Sequence, residues 1–160
     1  NRNGQEVAGY LDGHAMVERV YYPGSPSHPD HGLARQIMTG FGGVVSFEIK
    51  GDLETTARFV DALELPYIGP TLGGVESIVE QPVALFSLNP EDCRKAGLKD
   101  NLVRYALGIE DHEDLIADLD QALSTIQARE SSAPTDRDAS HTAEKELVQD
   151  APSLAHAPGD

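Results

Sequence analysis

Arg104 stands in "NLVRYALGIED" (101–111), among residues that read as core: Leu102, Val103, Tyr105, Ala106 and Leu107. A guanidinium cannot shed its proton, and burying it unpaired costs several kcal/mol, so it requires an anion. On a strand, Leu102 and Ala106 share its face, which places the head at a sheet surface that is not water. Two readings stay open. One is a structural ion pair with Glu48 or Glu110; the other is a clamp for a carboxylate or phosphate, for which the planar guanidinium fork is suited.

Other stretches offer weaker chemistry. In "PTLGGVES" (70–77) two glycines permit close backbone approach, and the amides beside Thr71 can hold an anion; a loop that needs positive φ accounts for the same residues. "MTGFGG" (38–43) lacks the lysine and spacing of a phosphate loop and reads as a tight helix-to-strand turn. His28, Asp30 and His31 in "SHPDH" are competent metal ligands, but three within four residues rarely close a tetrahedral site. Capping of the following helix by Ser27 or Asp30 explains them more simply. Cys93 falls on a predicted surface helix beside Arg94 and Lys95, with no histidine to make it a nucleophile. No metal site is expected.

The elements that must position these groups follow from periodicity. Residues 4–11 read as a short amphipathic helix, 16–22 as a strand, 23–29 as a proline-broken loop and 30–38 as a helix. "VVSFEI" (44–49) alternates as a strand, and Asp52 is placed to cap a helix carrying Leu53, Ala57, Phe59, Val60 and Leu63. An irregular loop with an extended "YI" spans 65–74. "VALFS" (83–87) reads as a strand, "NPEDCRKAG" (89–97) as a short helix capped by its asparagine, and "LVRYAL" (102–107) as a strand. Leu115, Ile116, Leu119, Ala122, Leu123 and Ile126 form the stripe of a last helix, capped by Asp111 with Asp114 in its first turn. Strands alternating with helices over about 130 residues imply an α/β or α+β domain with one sheet covered by helices. Beyond Glu130 only Leu147, Val148 and Leu154 are large and apolar, so an acidic, disordered tail is expected over 131–160.

A chain of 160 residues, 39% of them hydrophobic, can bury one modest core. Its formal charge of −15 argues against nucleic acid or an anionic membrane as partner. A single cysteine excludes an intramolecular disulfide framework and a cysteine-rich zinc site, and suits a reducing compartment. No apolar run approaches the roughly 18 residues of a membrane helix. The chain opens "NRNGQEV" without methionine or an apolar leader, and reads as a piece of something longer.

Taken together, "VERVYYPGSPSHPDHGLARQIMTGFGGVVSFEI" (17–49), "LPYIGPTLGGVESIVEQP" (65–82) and "DNLVRYALGIEDHEDLIADLDQAL" (100–123) resemble the C-terminal domain of the pyridoxal-phosphate enzymes of cysteine and methionine metabolism, in order and spacing, over roughly residues 1–126. "GFGGVVSFEI" and the proline of "PYIGP" are most similar to the plant and algal cystathionine γ-synthases. The resemblance implies the small domain of the aspartate-aminotransferase-type fold, over residues 1–130: a mainly antiparallel sheet with helices on one side. It implies that Arg104, in the pattern VR-x-x-x-GIED, binds the α-carboxylate of an amino-acid substrate. The residue before "LGG", usually serine, lies near the substrate; here it is the bulkier Thr71.

The same resemblance implies pyridoxal 5'-phosphate as cofactor, held by a large domain that this chain lacks. The Schiff-base lysine, the ring-stacking aromatic and the phosphate-binding residues belong there, so this chain alone is expected to be inactive, with no catalytic or cofactor-binding residue of its own. The implied whole enzyme is a soluble, intracellular homotetramer, chloroplastic if plant or algal and otherwise cytoplasmic. It joins an activated homoserine, O-phosphohomoserine in the plant-like subgroup, to cysteine by γ-replacement in methionine biosynthesis. Sister activities (cystathionine γ-lyase and β-lyase, methionine γ-lyase, O-acylhomoserine sulfhydrylase) share these motifs. A stand-alone, non-catalytic docking module is the alternative from a different class.

Overall fold

A computed structural model describes residues 1–85 and 90–132. The expected tail from 133 onward, the end of the expected strand at 86–87 and the expected cap at Asn89 lie outside the described residues. Asn1–Glu130 forms one compact unit.

In that unit the described elements are α1 (Arg2–Asp12), β1 (Val17–Tyr21), α2 (His31–Ile37), β2 (Val44–Ile49), α3 (Leu53–Ala62), β3 (Tyr67–Ile68), β4 (Ile78–Glu80), α4 (Pro82–Leu85), α5 (Pro90–Lys95), β5 (Leu102–Ala106) and α6 (His112–Ser132). The strands form one sheet in the order β1-β2-β5-β4-β3. Every neighbouring pair is antiparallel except β3 and β4. The fold is therefore the mixed α/β domain with a mainly antiparallel sheet that the sequence implied. Among the described residues no helix is long and apolar enough to cross a membrane.

Strand alternation sorts the sheet into two faces. Val20, Val45, Phe47, Ile49, Val79, Val103 and Tyr105 point to one of them and are buried with Val7 and Leu11 of α1, Phe59 of α3, and Leu115, Leu119, Leu123 and Ile126 of α6. Phe47 and Phe59 meet edge to face, with ring centroids 5.9 Å apart. The predicted stripe of the last helix is thus the buried stripe of α6. Its start is capped as expected: the Asp111 Oδ1 accepts the Glu113 N–H at 2.9 Å. Asp52 likewise caps α3, accepting the Thr55 N–H at 2.8 Å.

Two expectations fail in the segment before β5. The strand expected at 83–87 is the helix α4 through Leu85, and the strand of this region lies earlier, at Ile78–Glu80. Pro82 explains the shift. It has no N–H for a sheet ladder, whereas the first position of a helix needs none. Cys93 is the other correction: α5 does not carry it on the surface but buries it to 3% exposure.

Asp118 ties the end of α3 to α6. Its buried carboxylate accepts the backbone N–H groups of Glu64 (2.9 Å) and Leu65 (3.0 Å) and the Gln121 side-chain amide (3.0 Å). Removing it leaves two backbone donors without this acceptor. Asp118→Ala is expected to lower stability by about 2–3 kcal/mol, read from the urea midpoint at unchanged slope. A midpoint within error of the parent would show that water replaces the carboxylate at no cost.

Candidate functional site

The second face of the sheet is polar. Cross-strand register lines up Tyr21, Ser46, Arg104 and Glu80 on β1, β2, β5 and β4, with Glu48 one step away opposite Leu102. Two carboxylates are buried in this face, Glu48 at 2% and Glu80 at 1% exposure, and each is met by a cation.

Arg104 finds its anion in Glu80. The Nη1 lies 2.9 Å from the Glu80 Oε1, and the two residues are direct partners in the ladder. Neither Glu48 nor Glu110, the two candidates from the sequence, takes this role. Glu48 belongs to Lys99, whose Nζ is 2.7 Å from its Oε2, and to the Tyr21 hydroxyl, which donates to its Oε1. Arg19 lies over the Tyr21 ring, 4.7 Å from its centroid. Glu110 binds Ser77 instead. The signal for Glu80 was present in "ESIVEQP": Ile78 and Val79 are β-branched, and Glu80 ends their strand.

The Arg104 Nη2 donates to the carbonyl of Pro70 at 2.7 Å and, at 3.4 Å, to that of Thr71. Thr71 is therefore brought beside Arg104, through its carbonyl. The other end of the same loop is held by the turn after β5. The Ser77 N–H and hydroxyl donate to the two Glu110 carboxylate oxygens at 2.6 and 2.9 Å, and the Ile109 N–H donates to the Val75 carbonyl at 2.9 Å. Gly108 is required for this closure. A Cβ there would lie 2.2 Å from the Val75 carbonyl oxygen and 2.5 Å from the Glu110 Oε2. Between the two pins, Leu72, Gly73 and Gly74 are exposed and border a cleft of about 250 Å³ with Val44, Ala106 and Leu107. Gly73 has φ of +80°, so here the second of the paired readings, a loop needing positive φ, describes what is observed.

The remaining candidates are structural. The Nδ1 of His28 accepts the Asp30 N–H at 3.1 Å, and that of His31 lies 2.8 Å from the Pro23 carbonyl. Asp30 occupies the N-cap of α2 without a side-chain cap bond, and Ser27 meets Ser25. Among the described residues no group of three or more histidine, cysteine, aspartate or glutamate residues can hold a metal. The 38–43 segment is a turn, with Gly42 at φ +86°. Of the described lysines, Lys50 is exposed, Lys95 pairs with Glu91 and Lys99 with Glu48. What the face does supply is a positioned guanidinium.

The sequence profile of the family described as Cys/Met metabolism PLP-dependent enzyme matches residues 1–124. The chain is 56% identical over 128 residues to cystathionine gamma-synthase 1, chloroplastic, of Arabidopsis thaliana, a match covering 79% of this chain and 23% of that protein. It is 42% identical over 132 residues to cystathionine gamma-lyase of Sus scrofa, covering 81% and 33%. The crystal structure of cystathionine gamma synthase from Xanthomonas oryzae pv. oryzae in complex with cystathionine superposes with a TM-score of 0.74 at 41% identity, covering 79% of this chain and 33% of that one. The chain thus spans about a quarter to a third of the length of these relatives.

The Glu48 cluster has a pH signature. Burial pushes the Glu48 carboxyl up, but the hydrogen bonds from Lys99 and Tyr21 and the charges of Lys99 and Arg19 outweigh it, leaving the group below its ordinary 4.5. A depressed carboxyl contributes stability that is present above about pH 4.5 and lost as pH falls through the lowered folded value. Lys99→Met, which removes the first-named of these opposing effects, is expected to move the acid-induced loss of stability to higher pH, measured by urea unfolding across pH 2 to 7, the range about the ordinary carboxyl. Superimposable acid limbs would remove Lys99 from the account.

Proposed function

The chain belongs to the Cys/Met metabolism PLP-dependent enzymes, and from that membership we propose that it is the C-terminal, substrate-carboxylate-binding part of a cystathionine γ-synthase. The observation that carries the reading is Arg104, a partly exposed guanidinium fixed on a sheet face between Glu80 and the Pro70–Thr71 carbonyls. The whole protein is proposed to join an activated homoserine to cysteine by γ-replacement, with O-phosphohomoserine as the ester. The 56% identity to the Arabidopsis chloroplastic synthase supports the synthase reading. The whole protein is further proposed to be a homotetramer, and chloroplastic if its source is plant or algal, as the name of the Arabidopsis relative suggests for the compartment.

Pyridoxal phosphate, when bound by the longer protein, supplies the electron sink for this chemistry. The part proposed for this chain is to bind and orient. Arg104 takes the α-carboxylate of the amino-acid substrate through a charge-assisted pair, which fixes the Cα relative to the reacting bonds. Thr71 is proposed as the second substrate contact, on the loop that Arg104 itself holds. The Schiff-base lysine is assigned to the part of the relatives that this chain does not span, so the 160-residue chain alone is proposed to be inactive. A sister activity is the second reading, favoured by the 42% identity to the pig γ-lyase.

In the full-length protein, Arg104→Ala is expected to raise KM for the homoserine ester on the order of a hundredfold while the visible absorbance of the bound cofactor remains. An unchanged KM would overturn the carboxylate role. Product analysis with and without cysteine separates the two readings: cystathionine formed only with cysteine supports the synthase, whereas cleavage of added cystathionine supports the lyase.

A further inference from the structure

The geometry points to Glu80 as a positioning residue for Arg104, one that fixes the guanidinium and also sets how strongly it attracts a carboxylate. This rests on the reading of Arg104 as a carboxylate clamp.

The guanidinium is held by both of its terminal nitrogens, from two different elements. Glu80 on β4 takes Nη1 at 2.9 Å, and the Pro70 carbonyl takes Nη2 at 2.7 Å. A rigid planar group held at both wings has a defined orientation as well as a defined place. Each terminal nitrogen carries two hydrogens, so one on Nη1 is left after these contacts, while Nη2 also reaches the Thr71 carbonyl at 3.4 Å. Glu80 uses one oxygen only. Its Oε2 is buried and without a partner among the described residues, as is the Arg104 Nε. A purely structural pair would gain from closing fork to fork, with both carboxylate oxygens on two guanidinium nitrogens. The single contact keeps part of the guanidinium available, and Arg104 is 23% exposed.

Charge gives Glu80 a second effect. At 1% exposure its carboxylate is poorly screened by solvent, so it neutralises Arg104 before any ligand arrives. An incoming carboxylate meets a neutral pair rather than a bare cation, and binds more weakly than it would to Arg104 alone. The arrangement has a physical reason. A permanent cation on this face needs an anion whether or not a ligand is present, and a built-in counterion avoids the penalty of an unpaired buried charge.

The test compares inhibition of the full-length holoenzyme by L-alanine and by L-alaninamide, which differ in the carboxylate. Glu80→Gln keeps a hydrogen-bond acceptor for Nη1 and removes the charge. It is expected to tighten L-alanine inhibition on the order of tenfold and to leave alaninamide unchanged. Glu80→Asp keeps the charge but draws it back by one methylene. Here the preference for alanine over alaninamide should stay near that of the parent, while kcat falls on the order of tenfold as the guanidinium loses its place. A Gln variant with the parental preference, or an Asp variant with the parental kcat, overturns the inference. Arg104→Ala is measured alongside. If it abolishes the preference for alanine while the Glu80 variants behave as parent, only the role of Glu80 is lost. If it leaves the preference intact, the clamp reading itself is wrong.

Discussion

A cation that can never lose its proton, placed on the face of a β-sheet, constrains everything around it. Arg104 obtains its anion from the neighbouring strand, and Glu80 does so only because β4 and β5 are in one register. A slip of one residue would turn Glu80 toward the helix-covered core and bring Val79 out to the polar face. The ion pair and the hydrophobic effect therefore select the same alignment. Val79 is wholly buried beside Tyr105 while Glu80 meets Arg104. Glu48 repeats the solution two strands along, with Lys99 and Tyr21 as its partners. The sheet divides its labour by parity: alternate residues fill the core, and the rest build a paired polar surface.

The loop over residues 70–77 depends on the same strand. Its first residues hand carbonyls to Arg104, and its last is held by Glu110 in the turn that follows β5. Gly108 lets that turn close against the Val75 carbonyl. Asn3 of α1 adds a further brace, its side-chain amide donating to the carbonyls of Gly108 and Glu110. One short segment, 104–110, thus carries the guanidinium and fixes both ends of the loop beside it. The exposed glycines between the pins are the part of the loop that no side chain fills, where another group can approach the backbone closely.

This division of roles fits a chain that covers only a fraction of its relatives' length. The described residues hold a guanidinium and its carboxylate partner on one face of a rigid sheet. The two kinds of work separate physically, since an electron sink needs a reactive group held in its own pocket, while orientation needs a rigid scaffold with one well-placed cation.

The sequence by itself determined the elements whose signals are local. The α6 stripe from Leu115 to Ile126, the alternation of β2, and the caps at Asp52 and Asp111 depend on neighbours within a few residues, and all are found where periodicity put them. That Arg104 must have an anionic partner was legible too, because the charge and its apolar neighbours stand side by side in the chain. That Glu80 ends a strand is legible in "ESIVEQP", but which anion pairs with Arg104 could not be read. Glu48, Glu80 and Glu110 are all within reach of a strand whose pairing is unknown, and only the order β2-β5-β4 decided for Glu80. The three-residue β4 escaped for a related reason. So short a strand is stabilised by its neighbours rather than by its own pattern, and "VAL" after Pro82 reads as the better strand until the missing proline N–H is weighed. Burial of Cys93 likewise depends on what packs over its helix, which no spacing within that helix records.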